Sequence, residues 1–324
     1  MVELYLKSEN HQKSGPFKFR GALHKLLSHH DDTLKKGVVT YSTGKYLRHH
    51  ECIQVSVRRG HADISQGHHG LAMLLATQQL SETKGFDIPL QIVTKKSCSS
   101  DKVERLKARC ASLDFQGTQE KEVCKQRAPE LAGRSGGTLV LPSGEAIILG
   151  AGLVCLEILE QVPDVDAVIV LCGSGSLLAG ASVVCQSTNT DLIATETEQG
   201  GSQLSEGLKT NQRLGQDSSG PTLAHGLRTS MGETSWRVIS QEGLVNGSFM
   251  VSESQIVEAL KGYHSNHPDV LEPSGVASLA GALFCSSSFV DSKPKGSTIK
   301  VAIVLTGAKV SKSTIDKIVK HNPD

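Results

Sequence analysis

Across 324 residues the chain has no paired CxxC cysteines, no apolar run near the length of a bilayer span, no excess of either charge and no tandem repeat. Each absence excludes a class. The eight cysteines, at 52, 98, 110, 124, 155, 172, 185 and 285, are scattered, several within apolar runs such as "VLCGSGSLL". They read as reduced, mostly buried thiols, with neither a disulfide framework nor a zinc site. Thirty-four Lys and Arg stand against 33 Asp and Glu, a net charge of +1, so no global field draws the chain to nucleic acid or an anionic membrane. The amino end also lacks the basic-then-apolar layout of a signal peptide. The expectation is a soluble, cytoplasmic protein whose partners are small molecules, with no nucleic acid and no membrane. Without a solenoid-type repeat, an array architecture is excluded. The first residues, "MVELYLKSEN", enter a strand-like pattern at once, and a missing amino-terminal segment is expected.

What is present is an alternation of short apolar runs and longer helical patterns. "GVVTYS", "LQIVTK", "GTLVLP", "DAVIVLCGSGS", "DLIATETE" and "KVAIVLTGA" each read as a buried strand ending in small or polar residues. Between them, "FKFRGALHKLLSHH", "HGLAMLLATQQL", "SDKVERLKARCASL", "GAGLVCLEILEQV", "SESQIVEALKGYH" and "SGVASLAGALF" place apolar residues at helical spacing. The class is α/β with parallel sheets, and ligands are expected beyond the carboxyl ends of the strands. With 38% hydrophobic residues, the chain is long enough for one large or two modest domains. Two segments fit this alternation poorly. Residues 45–66 interrupt a strand-to-helix junction with a basic, His-rich run, and "GLKTNQRLGQDSSGPT" reads as a surface loop.

In "AVIVLCGSGSLLAGASVV" an apolar strand runs into Gly173, Ser174, Gly175 and Ser176 and then into a small-residue helix. Glycines let the backbone approach an anion, serine hydroxyls can donate to it, and a helix start presents unpaired N–H groups with partial positive charge. A phosphate fits there; so does a plain tight turn. The stretch lacks the Lys-Ser/Thr ending of a nucleotide P-loop and the GxGxxG spacing of a dinucleotide fold. Lys18, in "SGPFKFRGA", is by default a solvated charge on a helix. Its neighbours Phe17 and Phe19 offer an apolar wall, and burial disfavours an ammonium, so a neutral amine becomes available for imine chemistry. A buried lysine and a phosphate cradle on one parallel sheet suggest pyridoxal phosphate.

"LYLKSENHQKSGPFKFRGAL" resembles the lysine motif of the fold-type II pyridoxal phosphate enzymes (tryptophan synthase beta-like), in the branch of serine racemase and the serine/threonine dehydratases, or threonine ammonia-lyases. The likeness continues through "VVTYSTG", "GHHGLAMLLA", "GAGLVCLEILEQVPDVDAVIVLCGSGSLLAG", "TLAHGLRTSMGETSW", "LEPSGVASLAGAL" and "VAIVLTGAKV". It implies a large domain of residues 1–37 and 143–324, a small domain of 38–142 carrying the insert, the cofactor in the cleft between them, and a homodimer. It makes Lys18 the Schiff-base lysine and catalytic base, Phe17 a neighbour of the cofactor ring, Gly173, Ser174, Gly175 and Ser176 the phosphate loop, and Thr306 the hydroxyl facing the pyridine nitrogen. Thr43 takes the place of the second acid/base, a serine in the family's racemases.

The implied activity is ammonia-lyase (dehydratase) chemistry on L-serine or L-threonine, with serine racemisation as sibling. The alternative is a catalytically impaired, cofactor-binding homologue with a structural or regulatory role. The family's continuous S-x-G-N-H-G run is split here, as "STG" at 42–44 and "GHHG" at 67–70. Ser42, Thr43 and His69 then fall to substrate binding, and His68, or Lys45, to the asparagine that meets the cofactor. Pro16, Ser143, His225 and Lys309 also depart from the family's usual residues. A divalent-cation site (Mg or Ca) of the racemase branch maps onto Glu196, the carbonyl of Gly200, and Ser202, where an aspartate is usual. Hard cations want carboxylate oxygens, with Glu198 as the one substitute; the other reading is a solvated loop. The pairs His29-His30, His49-His50 and His68-His69 could suggest transition-metal binding, but adjacent side chains rarely converge on one ion.

Overall fold

The computed structural model describes residues 1–42, 68–95, 111–116, 121–215, 220–292, 294, 296–308 and 310–321. The insert at 45–66, Thr43 and Lys309 lie outside them. The chain separates into two compact units, one of Met1–His24 with Ser143–Asp324, the other of Lys25–Pro142.

In the first unit five parallel strands run in the order β1 (Val2–Ser8), β9 (Ile299–Leu305), β6 (Ala167–Leu171), β7 (Asp191–Thr197), β8 (Gly247–Val251). The central strand β6 is "AVIVL" and every residue of it is buried. A parallel strand covered on both faces demands such a continuous apolar run. Edge strand β1 instead alternates exposed and half-buried residues along most of its length, and pairs in register with β9 from Val2 opposite Ile299 to Ser8 opposite Leu305. The helices have local causes. Ser252 and Gln255 close a reciprocal capping box at the start of the helix Glu253–Asn266. Pro273 opens α10 (Pro273–Phe284), where a missing N–H costs nothing.

The second unit holds four parallel strands in the order β4 (Ala111–Gln116), β3 (Leu90–Lys95), β2 (Val38–Ser42), β5 (Thr138–Val140). Helix α3 (His68–Lys84) packs on this sheet, as does α4 (Lys121–Ser135). All six strands read from the sequence form. Two more were not anticipated: β8, and β4, whose first three residues were expected to close a helix that began at 100. Pairing with β3 from Leu90 opposite Ala111 takes those residues into the sheet. The expected loop at 207–222 opens in the last residues of a short helix, α7 (Leu204–Thr210).

Small residues set the spacing of α5 (Glu145–Gln161) and α6 (Ser176–Cys185). A Cβ on Gly152 would stand 2.7 Å from the Gly180 carbonyl oxygen, and one on Gly180 would strike the Gly152 backbone. Gly180→Ala is therefore expected to destabilise the protein by about 2 kcal/mol through overpacking, lowering Tm by roughly 3 °C. Gly133→Ala, on an open helix face with nothing near its Cβ, is the control and should be neutral or stabilising by up to about 1 kcal/mol. Equal melting curves for the two variants would contradict the close approach.

Candidate active site

The candidate site is built where strands of the first sheet end. After β1 the chain turns and enters α1 (Lys18–Leu27) at Lys18 itself. The backbone N–H of Phe17 donates to Thr306 Oγ1 at 3.0 Å, and the N–H of Gly307 donates to the Gly15 carbonyl at 3.0 Å. Thr306, directly after β9, thus fixes the residue that precedes Lys18. Phe17 is 5% exposed and shares a core with Cys172 and Leu177, at either end of the Gly/Ser loop. Lys18 Nζ lies 4.7 Å from the centroid of the Phe17 ring. The lysine side chain is partly accessible, yet desolvation of its amine pushes the pKa down to about 8. An amine that is easily made neutral is what a nucleophile or base requires.

The start of α1 is anchored by charge. Arg20 forms a two-bond pair with Glu9 at 2.8 Å and a second pair with Glu157 at 2.6 and 2.8 Å, and Lys7 also reaches Glu157 at 2.6 Å. Burial alone would lower the Arg20 pKa, but its hydrogen bonds to Glu9 and Glu157 outweigh it and raise it. The Arg20 hydrogen bond in turn holds the Glu157 carboxyl below its ordinary value. Glu9 and Glu157 did not stand out in the sequence. An acid inside the apolar helix "LVCLEIL" was the available signal.

The Gly/Ser loop follows β6. Gly175 has φ +82°, and a Cβ there would run into Met231, Ser235 and Ile239, so only glycine serves. Ser176 opens α6 with its hydroxyl buried and without a hydrogen-bond partner. The carbonyl of Ser174 accepts from Gly232 N–H at 3.0 Å. Contacts then run from this loop to Thr306. Gly173 lies against the Gly226 carbonyl, the Gly226 N–H donates to Ser274 Oγ at 2.8 Å, and Gly275 presses so closely on the Thr306 carbonyl that a Cβ would fall on it. Gly226, Ser274 and Gly275 carry this link, although the sequence suggested no role for them. His225 beside them is held below its usual pKa by burial and then by Arg228, and is neutral at physiological pH.

In the second unit, Ser42 ends β2 with its backbone opposite Thr94, and His68 and His69 open α3. His69 is buried, and its Nε2 lies 3.0 Å from Thr40 Oγ1. Thr40 donates its only hydroxyl proton to the Val140 carbonyl at 2.6 Å, so His69 Nε2 must carry the proton in that contact. Thr43, the expected second acid/base, and Lys45 lie outside the described residues.

Residues 49–307 match the family model described as pyridoxal-phosphate dependent enzyme. The chain belongs to this family. It is 30% identical to serine racemase of Oryza sativa subsp. indica over 312 residues, covering 95% of this chain and 81% of that protein. It is 29% identical to L-threonine ammonia-lyase of Thermotoga maritima, covering 98% and 70%. Among solved structures, maize serine racemase superposes with a TM-score of 0.77 at 28% identity, covering 98% of this chain and 87% of that one. Threonine deaminase isoform 2 from Solanum lycopersicum gives 0.78 at 25% identity, covering 98% and 78%. As a pyridoxal-phosphate dependent enzyme, the chain has residues that fit its cofactor. A desolvated amine at Lys18, an unpartnered buried hydroxyl at Ser176 and a glycine cradle at a helix start suit an aldehyde and a phosphate.

The Lys18 shift has a signed consequence. In the cofactor-free protein the unfolded chain binds the lysine proton more tightly than the folded one, so folding stability rises with pH from about 8 to the ordinary lysine pKa of about 10.5. Chemical denaturation across that window should show the wild type gaining stability relative to Lys18→Met. A pH-independent difference would place the amine in water.

Proposed function

We propose that this protein is an ammonia-lyase acting on L-serine and L-threonine, with serine racemisation as the sibling reaction of the same site. The observation that carries the reading is the desolvated Lys18 amine, tied through Phe17 to Thr306 and accompanied by the Gly/Ser loop. The names of the relatives, serine racemase and L-threonine ammonia-lyase, support the substrate class.

When bound, pyridoxal phosphate supplies an aldehyde carbon that takes up amines and a ring that acidifies the α-carbon. Lys18 would hold it through its amine and would serve as the base that moves the substrate α-proton at one face. Phe17 would wall one side of the ring. Gly173, Ser174, Gly175 and Ser176 receive the phosphate, with Ser176 Oγ as an additional donor. Thr306 Oγ1, already an acceptor from Phe17 N–H, would have its own proton available for the ring nitrogen. A neutral hydroxyl there suits elimination, in which the departing β-hydroxyl takes the electrons. Ser42, Thr43 and His69 would bind the substrate carboxylate, His68, or Lys45, would take the place that meets the cofactor, and Thr43 would return a proton from the opposite face in racemisation.

The same reading makes the protein a cytoplasmic homodimer. Leu149, Leu153 and Leu156 form an exposed stripe along α5 at helical spacing, which supports a partner surface. A second reading, a cofactor-binding homologue impaired in catalysis, draws on His69, whose Nε2 is engaged by Thr40 within its own unit.

Purified protein with pyridoxal phosphate is expected to absorb visibly and to release keto acid from L-serine or L-threonine. Lys18→Ala should lose the absorption and at least about 10³-fold of the rate. D-serine formation compared with keto-acid release sets racemase against lyase. A coloured protein without turnover would establish the impaired reading, and a colourless wild type would end both.

A further inference from the structure

The racemase branch implies a divalent cation on Glu196, Gly200 and Ser202, and these residues do not fit one. Hard cations are held by six or more oxygens, carboxylates foremost. Glu196 is 2% exposed and its oxygens are already engaged. Oε2 accepts from Leu204 N–H at 2.7 Å, while Oε1 accepts from Ser205 N–H at 2.7 Å and from the Ser205 hydroxyl. Ser202, 1% exposed, turns its hydroxyl to Cys172 Sγ at 3.8 Å. Glu198, the one acidic substitute, is exposed. Among the described residues no three His, Cys, Asp or Glu side chains converge on one point.

The geometry points to a different device: Glu196 is an internal helix cap that does a cation's work in holding the loop between β7 and α7. Its two oxygens satisfy the first free N–H groups of α7, and its negative charge sits at the positive end of that helix. Because the Ser205 proton goes to Glu196, Ser248 on β8 must donate to Ser205 across their 2.8 Å contact. One carboxylate thereby ties β7, α7 and β8. The tie extends toward the Gly/Ser loop. Cys172, which immediately precedes Gly173, donates its N–H to the Thr195 carbonyl at 2.7 Å and accepts from Ser202. Residues on both sides of Glu196 thus brace the strand end from which the loop departs. The inference concerns how the loop is held, and it stands whichever reaction the enzyme performs.

Thermal melting of the holoprotein tests it. Melting temperature in EDTA should match that in millimolar Mg²⁺, Ca²⁺ or Mn²⁺ to within about 1 °C, because a ligand that does not bind the native state cannot stabilise it. Glu196→Gln keeps one acceptor oxygen but removes the charge and puts an amide donor against the other N–H, and should lower Tm by about 3–6 °C with no restoration by any of the three cations. Ser205→Ala, which removes only the hydroxyl, should give a smaller loss in the same direction and covers the case in which Glu196→Gln fails to fold. A saturable rise of several degrees with a divalent cation in the wild type would overturn the inference, as would Glu196→Gln and Ser205→Ala proteins that melt with the wild type.

Discussion

One hydrogen bond, from the Phe17 backbone N–H to the Thr306 hydroxyl at 3.0 Å, joins residues 289 apart in sequence, and the candidate site depends on it. The N–H is buried, so its loss would leave an unpaired donor at a cost of about 1–3 kcal/mol. Two neighbours reinforce it: Gly307 N–H to the Gly15 carbonyl, and Glu272 N–H to the Gly307 carbonyl at 2.9 Å. Behind them, β1 and β9 run in parallel register. The first helix therefore starts at a place set by the last strand, and the first residue of that helix is Lys18.

Parallel strands explain why the other groups gather nearby. All strands of the first sheet point the same way, so β6 delivers the Gly/Ser loop, β9 delivers Thr306 and β7 delivers the Glu196 loop at the same edge. Glycines then set how closely these ends approach, Gly275 against Thr306 and Gly173 against Gly226. Backbone contact of this kind leaves little room for a side chain at these glycines.

What could be read from the sequence follows the same physics. "AVIVL" announced a central strand because only burial on both faces tolerates five apolar residues in a row, and the Gly/Ser run after it announced a turn into a helix. "GSFMV" passed unnoticed as β8 because an edge strand with one buried residue carries no such signature. Ala111 to Leu113 continued a helical pattern in sequence, and only the pairing with β3 makes them strand. Lys18 was legible as a candidate from its aromatic flanks and the motif around it. Its lowered pKa came from tertiary packing, and the clamp of Glu9 and Glu157 on Arg20 comes from residues far apart in the chain. Glu196 was read as an acidic ligand since a motif shows which residue is present but not which N–H groups the fold will place against it.

The central proposal is that Lys18 is, among the described residues, the amine that the fold has desolvated for pyridoxal phosphate. Borohydride reduction of the protein mixed with pyridoxal phosphate, followed by peptide mass mapping, measures this directly. The account predicts one pyridoxyl group per chain, on Lys18. A label spread over surface lysines, with Lys18 unmodified, would contradict it.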